Sequence, residues 1–525
     1  MSHDKKCVVI KIGSHHTIAG FNNTELPQCI LPSSYIKKGN EYIFGTINML
    51  EECIARNDNN NNENEEKLEI FTTVDDNGIP YNWTIIEEQL KYIYENELKC
   101  DSKDLPLVIT VPHLKSELAN KVIERYFNLA FNKLNVPVFQ IVIEPLAIAL
   151  AMGKTSALVI DLGSSGCNVT PIVDGTIVKT SVMRSRFSGN FLDYIITEKL
   201  NNLLKSENFQ MTDSDGDLIL SNNDSTTRTL EAKDSVDIWY ESNTWIQDFK
   251  INMLQVSDKE LPELERYYKE QAEIQIRQQE QLQQYSTNNI ETKLDAAAIA
   301  SITNNNPLSQ KKNFLFKGNG NKTLKQTISL EVRDCYQLAE SLFNPSLISD
   351  KYTKEDGLGE IIAKAIKKAG ASVSSVGTNT IGSLGASMTI QPNTNQSKNN
   401  NSFGNSNSSN ISNNGGTNSL TGGINSLGPS TTTPEHIYST LLTNIIVTGA
   451  TSLINGMEQR IIKELSIRFP QYKITTFANQ ITMDRKIQGW TSSVSMCNLP
   501  SWELAKWYTK TDYEKESNKD ETKEN

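Results

Sequence analysis

Two strand–turn–strand segments carry the residues of this chain best suited to hold a phosphate. In the first, the β-type run Val8–Ile12 ends in Gly13-Ser14, and a second short strand, Thr17–Phe21, follows. In the second, Ala157–Leu162 carries Asp161 and ends in Gly163-Ser164-Ser165, before another β-type run, Val169–Val173. A hairpin of Gly and Ser can turn its backbone N–H groups on an anion, because no bulky side chain blocks the approach. Phosphoryl transfer would also require carboxylates that hold Mg²⁺ and a residue that orients the attacking water. A third glycine turn, Thr448-Gly449-Ala450-Thr451, lies between the strand-like Asn444–Val447 and a helical stretch from Met457.

The elements that must position these turns alternate between strand and helix. Trp83–Glu97 has helical periodicity, with Ile86, Leu90, Ile93 and Tyr94 on one face. Leu105–Val111 reads as a buried strand, Leu118–Phe131 as an amphipathic helix and Val138–Ile143 as a strand. Pro145–Met152 reads as a helix stopped by Gly153. The strand–hairpin–strand unit then restarts at Ala157, a weak internal duplication that predicts two related α/β lobes. Farther on, Trp239–Val256 and a long polar segment from Pro262 to Glu280 read as helices, and Asn313–Val332 as a strand pair. The tract from about 369 to 434 is dominated by Asn, Ser, Gly and Thr and is expected to be a disordered insertion, as it buries too little apolar surface to offset ordering entropy. The Asn/Glu tract Asn57–Glu66 reads as an exposed loop, and 513–525 as a charged, frayed tail.

The 525 residues include 51 basic and 62 acidic side chains, a net charge of −11, which argues against a dominant nucleic-acid surface. The seven cysteines are scattered without a C-x-x-C pair or nearby histidines, which predicts reduced thiols and no metal site. The N-terminal Met-Ser-His-Asp-Lys-Lys does not read as a signal peptide, and no apolar stretch approaches the roughly 20 residues of a membrane span. No Ser-His-Asp set is visible.

Five collinear elements resemble the actin family: the two phosphate-type hairpins; Ala339-Glu340-Ser341-Leu342-Phe343-Asn344-Pro345; the turn at Gly449; and Asp484-Arg485-Lys486-Ile487-Gln488-Gly489-Trp490. Segments such as Glu25–Ile30, Pro32–Lys37, Val136–Ala147, Leu264–Gln271, Gln459–Ser466 and Ala505–Tyr508 are similar to the actin-related proteins shared by the SWI/SNF and RSC chromatin remodellers of budding yeasts. The resemblance covers about 1–370 and 435–513. It implies an actin-like bilobal α/β fold, with two ribonuclease H-like lobes around a nucleotide cleft. The first lobe is expected over 1–153, the second over 154–484, with a return to the first over 485–512. It also implies a nuclear, non-catalytic scaffold. Its partners would be a second actin-related protein, as a heterodimer, the helicase-SANT-associated helix of the remodeller's motor ATPase and other remodeller subunits. It would have no membrane association and no sequence-specific DNA binding of its own.

Set against the family, the catalytic equipment is reduced. Lys11 replaces the first-loop Asp, Ser164 the second acidic residue, Asn168 a His and Glu144 the Gln that orients water. Glu144 could act as a base or be a helix-start acid before Pro145. The candidate nucleotide-binding residues are Gly13, Ser14, Asp161, Gly163, Lys250, Gly449 and Lys486. ATP binding is allowed but no cofactor is required. Thr491-Ser492-Ser493 follows Trp490 where the family has Gly-Gly, a departure that bears against close helix packing there. Only Lys37–Glu41 remains where polymerising actins carry a long docking loop. By the resemblance, a motor helix would bind in the groove between the lower subdomains of the two lobes. The residues matching that groove are Trp502, Leu504, Trp507 and Tyr508, with Leu146, Ile148 and Met152 nearby. Left open beside the scaffold reading are a nucleotide-switched ATPase and a dynactin-type cytoskeletal protein.

Overall fold

The computed structural model describes residues 6–58, 68–114, 116–205, 235–287, 306–317, 325–376, 433–500 and 507–521, with isolated positions 299 and 302. Two sheets with the same strand plan organise the chain. The first is built from β1 (Val8–Ile12), β2 (His16–Phe21), β3 (Cys29–Pro32), β7 (Leu107–Val111) and β8 (Phe139–Ile143), in the order β3-β2-β1-β7-β8. β1 to β3 pair antiparallel, whereas β1, β7 and β8 run parallel. The second has β9 (Ala157–Leu162), β10 (Cys167–Val173), β11 (Thr176–Ile177), β15 (Ile445–Thr448) and β16 (Thr476–Phe477), in the order β11-β10-β9-β15-β16, with β12 (Met183–Ser185) also on β10. Here too the hairpin strands are antiparallel, and β9, β15 and β16 are parallel. The duplication read from the restarted hairpin is thus a repeated sheet, and the fold is the expected bilobal α/β one.

The parallel strands are buried on both faces, which is why Leu107–Val111 and Ile445–Thr448 are continuous apolar runs rather than alternating ones. Helices cover the first sheet: α2 (Trp83–Tyr92), α3 (Ser116–Asn128) and α4 (Glu144–Ala151), the first two extended by wider turns to Leu98 and Lys133. A small sheet of β4 (Ser34–Lys38), β5 (Glu41–Ile43) and β6 (Glu69–Thr72) carries α1 (Thr46–Asp58) above it. Around the second sheet lie α5 (Gly189–Lys205), α6 (Ser235–Asn243), α7 (Trp245–Asn252), α8 (Leu261–Thr287), α9 (Val332–Glu340), α10 (Leu358–Val376), α11 (Pro434–Leu442) and α12 (Met457–Arg468). The hairpin β13 (Lys311–Lys317) and β14 (Lys325–Glu331) adds Phe314 and Ile328 to the same core. α13 (Thr482–Cys497) returns to pack on α4 and β1, and α14 (Lys510–Glu521) follows near the C-terminus. Among the described residues, no helix is long and apolar enough to cross a membrane.

Three boundaries differ from the sequence reading. The low-complexity tract was expected from about 369, but α10 continues to Val376, with Ala369 fully buried and Gly370 set against the Tyr438 ring. At its other end Pro434 opens α11, where the Thr433 side chain caps His436 N. Small residues are therefore what let α10 and α11 approach; residues 377–432 lie outside the described set. Trp239–Val256 is two helices, broken at Thr244. The segment after 512 is helical rather than frayed to Glu521, because Tyr513 stacks on Phe127 at 6.0 Å and on Phe131 at 5.8 Å.

Candidate functional site

The three glycine turns meet. Ser165 N donates to Ser14 Oγ (3.2 Å), joining the two hairpins at their tips. Thr451 Oγ1 donates to Gly163 O (2.9 Å), and Gly189 N to the same carbonyl (3.2 Å). Gly449 has φ +88°, and a Cβ there would lie 2.6 Å from Asp161 Oδ1, so only glycine lets this turn sit on β9. Arg485, buried on α13, holds the third turn from outside through Ser452 O and Glu458. The structure thus gathers Gly13, Ser14, Asp161, Gly163 and Gly449 at one place.

Behind the hairpins lies a charge cluster. The Lys11 ammonium, from β1, is ion-paired to the Glu144 carboxylate at the start of α4. Burial works against the charged Lys11, but the Glu144 and Asp161 carboxylates outweigh it and hold its pKa above the ordinary value. Asp161 is pushed up to about 6, chiefly by burial and then by Glu144, against the pull of Lys11 and Arg184. Arg184, on β12, donates to Asn168 Oδ1 (2.9 Å) and Ser165 Oγ (2.9 Å). Ser164 is engaged with Asn190. A small cavity behind the cluster is lined by Pro112, His113, Glu144, Ile148, Asp161 and Asn168.

Gly489 makes this cluster possible. A Cβ on it would fall 2.6 Å from Lys11 Nζ and closer still to Glu144. One turn on, Ser493 accepts from Thr110 Oγ1 at 2.7 Å, and Trp490 is fully buried with Nε1 donating to Val9 O at 2.9 Å. The sequence reading against close packing after Trp490 is therefore corrected. Gly489 and two small buried hydroxyls, Ser492 and Ser493, replace the Gly-Gly pair.

Lys250 and Lys486 reach the opposite flank of the first hairpin. Lys250 is ion-paired to Asp193 at 2.5 Å, and Ser242 Oγ also donates to Asp193 (3.1 Å). Near the two lysines sits His15, a partly buried ring close to the Ser242 backbone. Burial, then Lys250, lowers the His15 pKa to about 4; the Ser242 backbone and Lys486 lie close as well. His16, exposed at the start of β2 with its ring 4.4 Å from that of His15, is lowered as well, by burial and then by His15.

The sequence had flagged Lys11 and Glu144 separately, but neither spacing nor composition pairs residues 133 positions apart. Arg184 was missed. Only the register of β10 with β12, which sets Asn168 opposite Arg184, brings it in. His15 and His16 were missed as well, although they directly follow Gly13-Ser14.

Of the candidate partner residues, those described fall in the clusters around α4 and the strand preceding it. Ile148 and Tyr508 are buried, a correction to their reading as contact residues. Ile148 joins Ala157, Val159 and Ile446, while Tyr508 bridges by backbone to Phe139 and packs edge-on to Phe127 at 4.8 Å. Leu146 and Met152 are half-buried beside Ile148, and Trp507 is half-buried against the cluster of Val9, Trp490 and Val494. Trp502 and Leu504 lie outside the described residues.

The actin resemblance implies Mg²⁺·ATP between the hairpins, but the charges placed there are unfavourable for the metal. Two fixed cations, Lys11 and Arg184, bear on Asp161, and the neighbouring carboxylate Glu144 is already neutralised by Lys11. A divalent ion would meet positive charge where it needs oxygen ligands. Among the described residues, no group of three or more His, Cys, Asp or Glu side chains is placed to hold a metal.

Repeated sheets, paired glycine hairpins and a third turn closing on them define an actin-type protein, and the actin family model matches residues 2–391 and 398–520. The chain belongs to the actin family. It is 52% identical over 519 residues to actin-related protein 7 of Saccharomyces cerevisiae, covering 98% of this chain and 97% of that protein. It is 23% identical over 537 residues to actin-related protein 4 of Candida glabrata, covering 97% and 94%. A Schizosaccharomyces pombe protein named as the SWI/SNF and RSC complexes subunit arp42 is 27% identical over 205 residues, covering 37% of this chain and 44% of its own.

Proposed function

We propose that this chain is a non-hydrolysing actin-type subunit of nuclear chromatin-remodelling complexes of the SWI/SNF and RSC class. It would form a heterodimer with a second actin-related protein on the helicase-SANT-associated helix of the motor ATPase. The observation that carries the non-hydrolysing part is the Lys11–Glu144 ion pair. It puts an ammonium beside Asp161 and ties up the Glu144 carboxylate, which stands where the family places its water-orienting residue. The placement in a remodeller rests on the near full-length likeness to actin-related protein 7 and on the name of the fission-yeast relative.

ATP is not required in this reading, and the backbone turns at Gly13, Gly163 and Gly449 leave its binding allowed. Steady-state phosphate release from the purified chain should stay at background with Mg²⁺ and ATP. Turnover well above background that disappears in Glu144→Gln would overturn the chemical half. Affinity capture of the tagged chain from nuclear extract, followed by mass spectrometry, tests the other half. The expected co-purifying set is a second actin-related protein with a remodeller motor subunit. Recovery of microtubule-motor adaptors instead would reject it.

A further inference from the structure

α6 is joined to the second lobe by the chain and by a side-chain bond. It runs into α7, whose Trp245, Ile246 and Phe249 are in the large second-lobe core, and Ser242 near its end bonds Asp193 on α5. Yet its other face is buried in the first lobe. Val236 and Trp239 form one apolar cluster with Ile36 of β4, Met49 and Cys53 of α1 and Ile70 of β6. Two polar contacts fix the docking. The Trp239 indole Nε1 donates to Ser34 Oγ at 2.6 Å, and Ile70 N donates to Ser235 Oγ at 2.9 Å. The helix is sided accordingly, with Trp239 only 7% exposed and Ile238 56% exposed.

We infer that α6 is a clasp across the cleft mouth, through which Trp239 holds the small β4–β6 sheet to the second lobe by direct protein contact. The clasp is continuous with the site below it. The Ser242 end of α6 reaches Asp193, the partner of Lys250, and lies beside His15. Opening at Trp239 would therefore both part the lobes at the mouth and free the flank of the first hairpin. An indole buried with its N–H bonded suits such a contact, since it combines large apolar area with one directional bond.

The cluster carries its own reporter. Cys53 is 3% exposed inside it, whereas Cys167 and Cys335 are fully buried in the second-lobe core. Labelling of the native full-length chain with a thiol reagent, read cysteine by cysteine by mass spectrometry, follows local opening at Cys53 and global unfolding at the other two. Trp239→Ala should speed Cys53 labelling about tenfold or more and leave Cys167 and Cys335 at the parent rate. Ser235→Ala removes a single hydrogen-bond acceptor and should speed Cys53 about fivefold, which keeps the test open should Trp239→Ala fail to fold. Unchanged Cys53 labelling in the variants that fold, or a parallel rise at all three thiols, would overturn the clasp.

Discussion

The Lys11 ammonium and the Glu144 carboxylate, 133 positions apart, are bound to each other behind the two hairpins, and Gly489 is what leaves room for them. Lys11 comes from the first strand of the first sheet and Glu144 from the turn that starts α4. Their side chains are 18% and 8% exposed. At that depth, breaking one half of a pair costs more than the pair contributes, because the remaining charge is left uncompensated.

The two halves should not be equivalent. Lys11→Met leaves Glu144 and Asp161 facing each other without their nearest cation, and should cost about 3–5 kcal/mol. Glu144→Gln leaves Lys11 with Asp161 as a partner, so its cost should be smaller, about 1–2 kcal/mol. The double variant should lose less than the sum. Denaturant unfolding of the three variants measures all of this, and equal single costs would contradict the placement of Asp161.

Gly489→Ala should be costly for a steric reason. The new methyl would lie 2.6 Å from Lys11 Nζ and nearer to Glu144, in a helix already pressed on α4. Overpacking of this kind costs about 1–3 kcal/mol. Combining it with Glu144→Ala should return part of the loss, since the shortened side chain vacates the space. A purely helical effect would instead make alanine stabilising there, and a raised thermal midpoint would exclude the close contact.

Acid should act on the site in two opposed ways. Asp161 has a folded pKa of about 6, above its ordinary value of 3.8, so its ionisation is costlier in the folded state. Stability from this group is fully present below pH 3.8 and is lost as pH rises through 6. Asp161→Asn should therefore be more stable than the parent at pH 8, on the order of 2 kcal/mol, with the difference closing near pH 4. His15 and His16 run the other way, with folded values near 4 and 3 against 6.5. Their contribution is intact above pH 6.5 and drains as pH falls toward those values, so replacing the more enclosed of the two, His15→Gln, should flatten the acid limb. Thermal midpoints across pH 3.5–8 read both slopes; a pH-independent gain in Asp161→Asn would contradict the burial of its charge.

The repeated sheet was legible because the apolar runs Val8–Ile12 and Ala157–Leu162 each end in a small-residue turn and restart as a strand. The residues gathered around Asp161 were legible one at a time, from their type and place in the turns. Their charge pairing was not. It depends on β1 running parallel to β7 and β7 to β8, which delivers Lys11 to the end of the strand preceding Glu144. Arg184 arrives by the β10–β12 register, which no local pattern encodes. Two of the candidate partner residues, Ile148 and Tyr508, were read as surface for a related reason. Aromatic and aliphatic side chains look alike in sequence whether they face a partner or a core, and Tyr508 is drawn inward by its backbone bridge to Phe139.

That difference separates the neighbouring aromatics Trp507 and Tyr508. Tyr508 is 8% exposed, bonded by backbone in both directions to Phe139 and edge-on to Phe127. Tyr508→Ala should empty that position and lower stability by about 3–5 kcal/mol. Any loss of binding in this variant should vanish when affinity is expressed per folded molecule. Trp507 is half-buried against the Val9, Trp490 and Val494 cluster, on the same side as α13. If a motor-subunit helix docks beside α13, as the proposed assembly requires, a half-covered indole is the type of side chain that anchors an amphipathic helix. Trp507→Ala should then cost at most about 2 kcal/mol of stability and weaken helix binding by roughly tenfold or more, about 1.4 kcal/mol. Unfolding curves and titration of a helicase-SANT-associated peptide on the same two variants, with the second actin-related protein present, make the comparison. Full peptide affinity in folded Trp507→Ala would remove this aromatic from the interface and leave it as a packing residue of the first lobe.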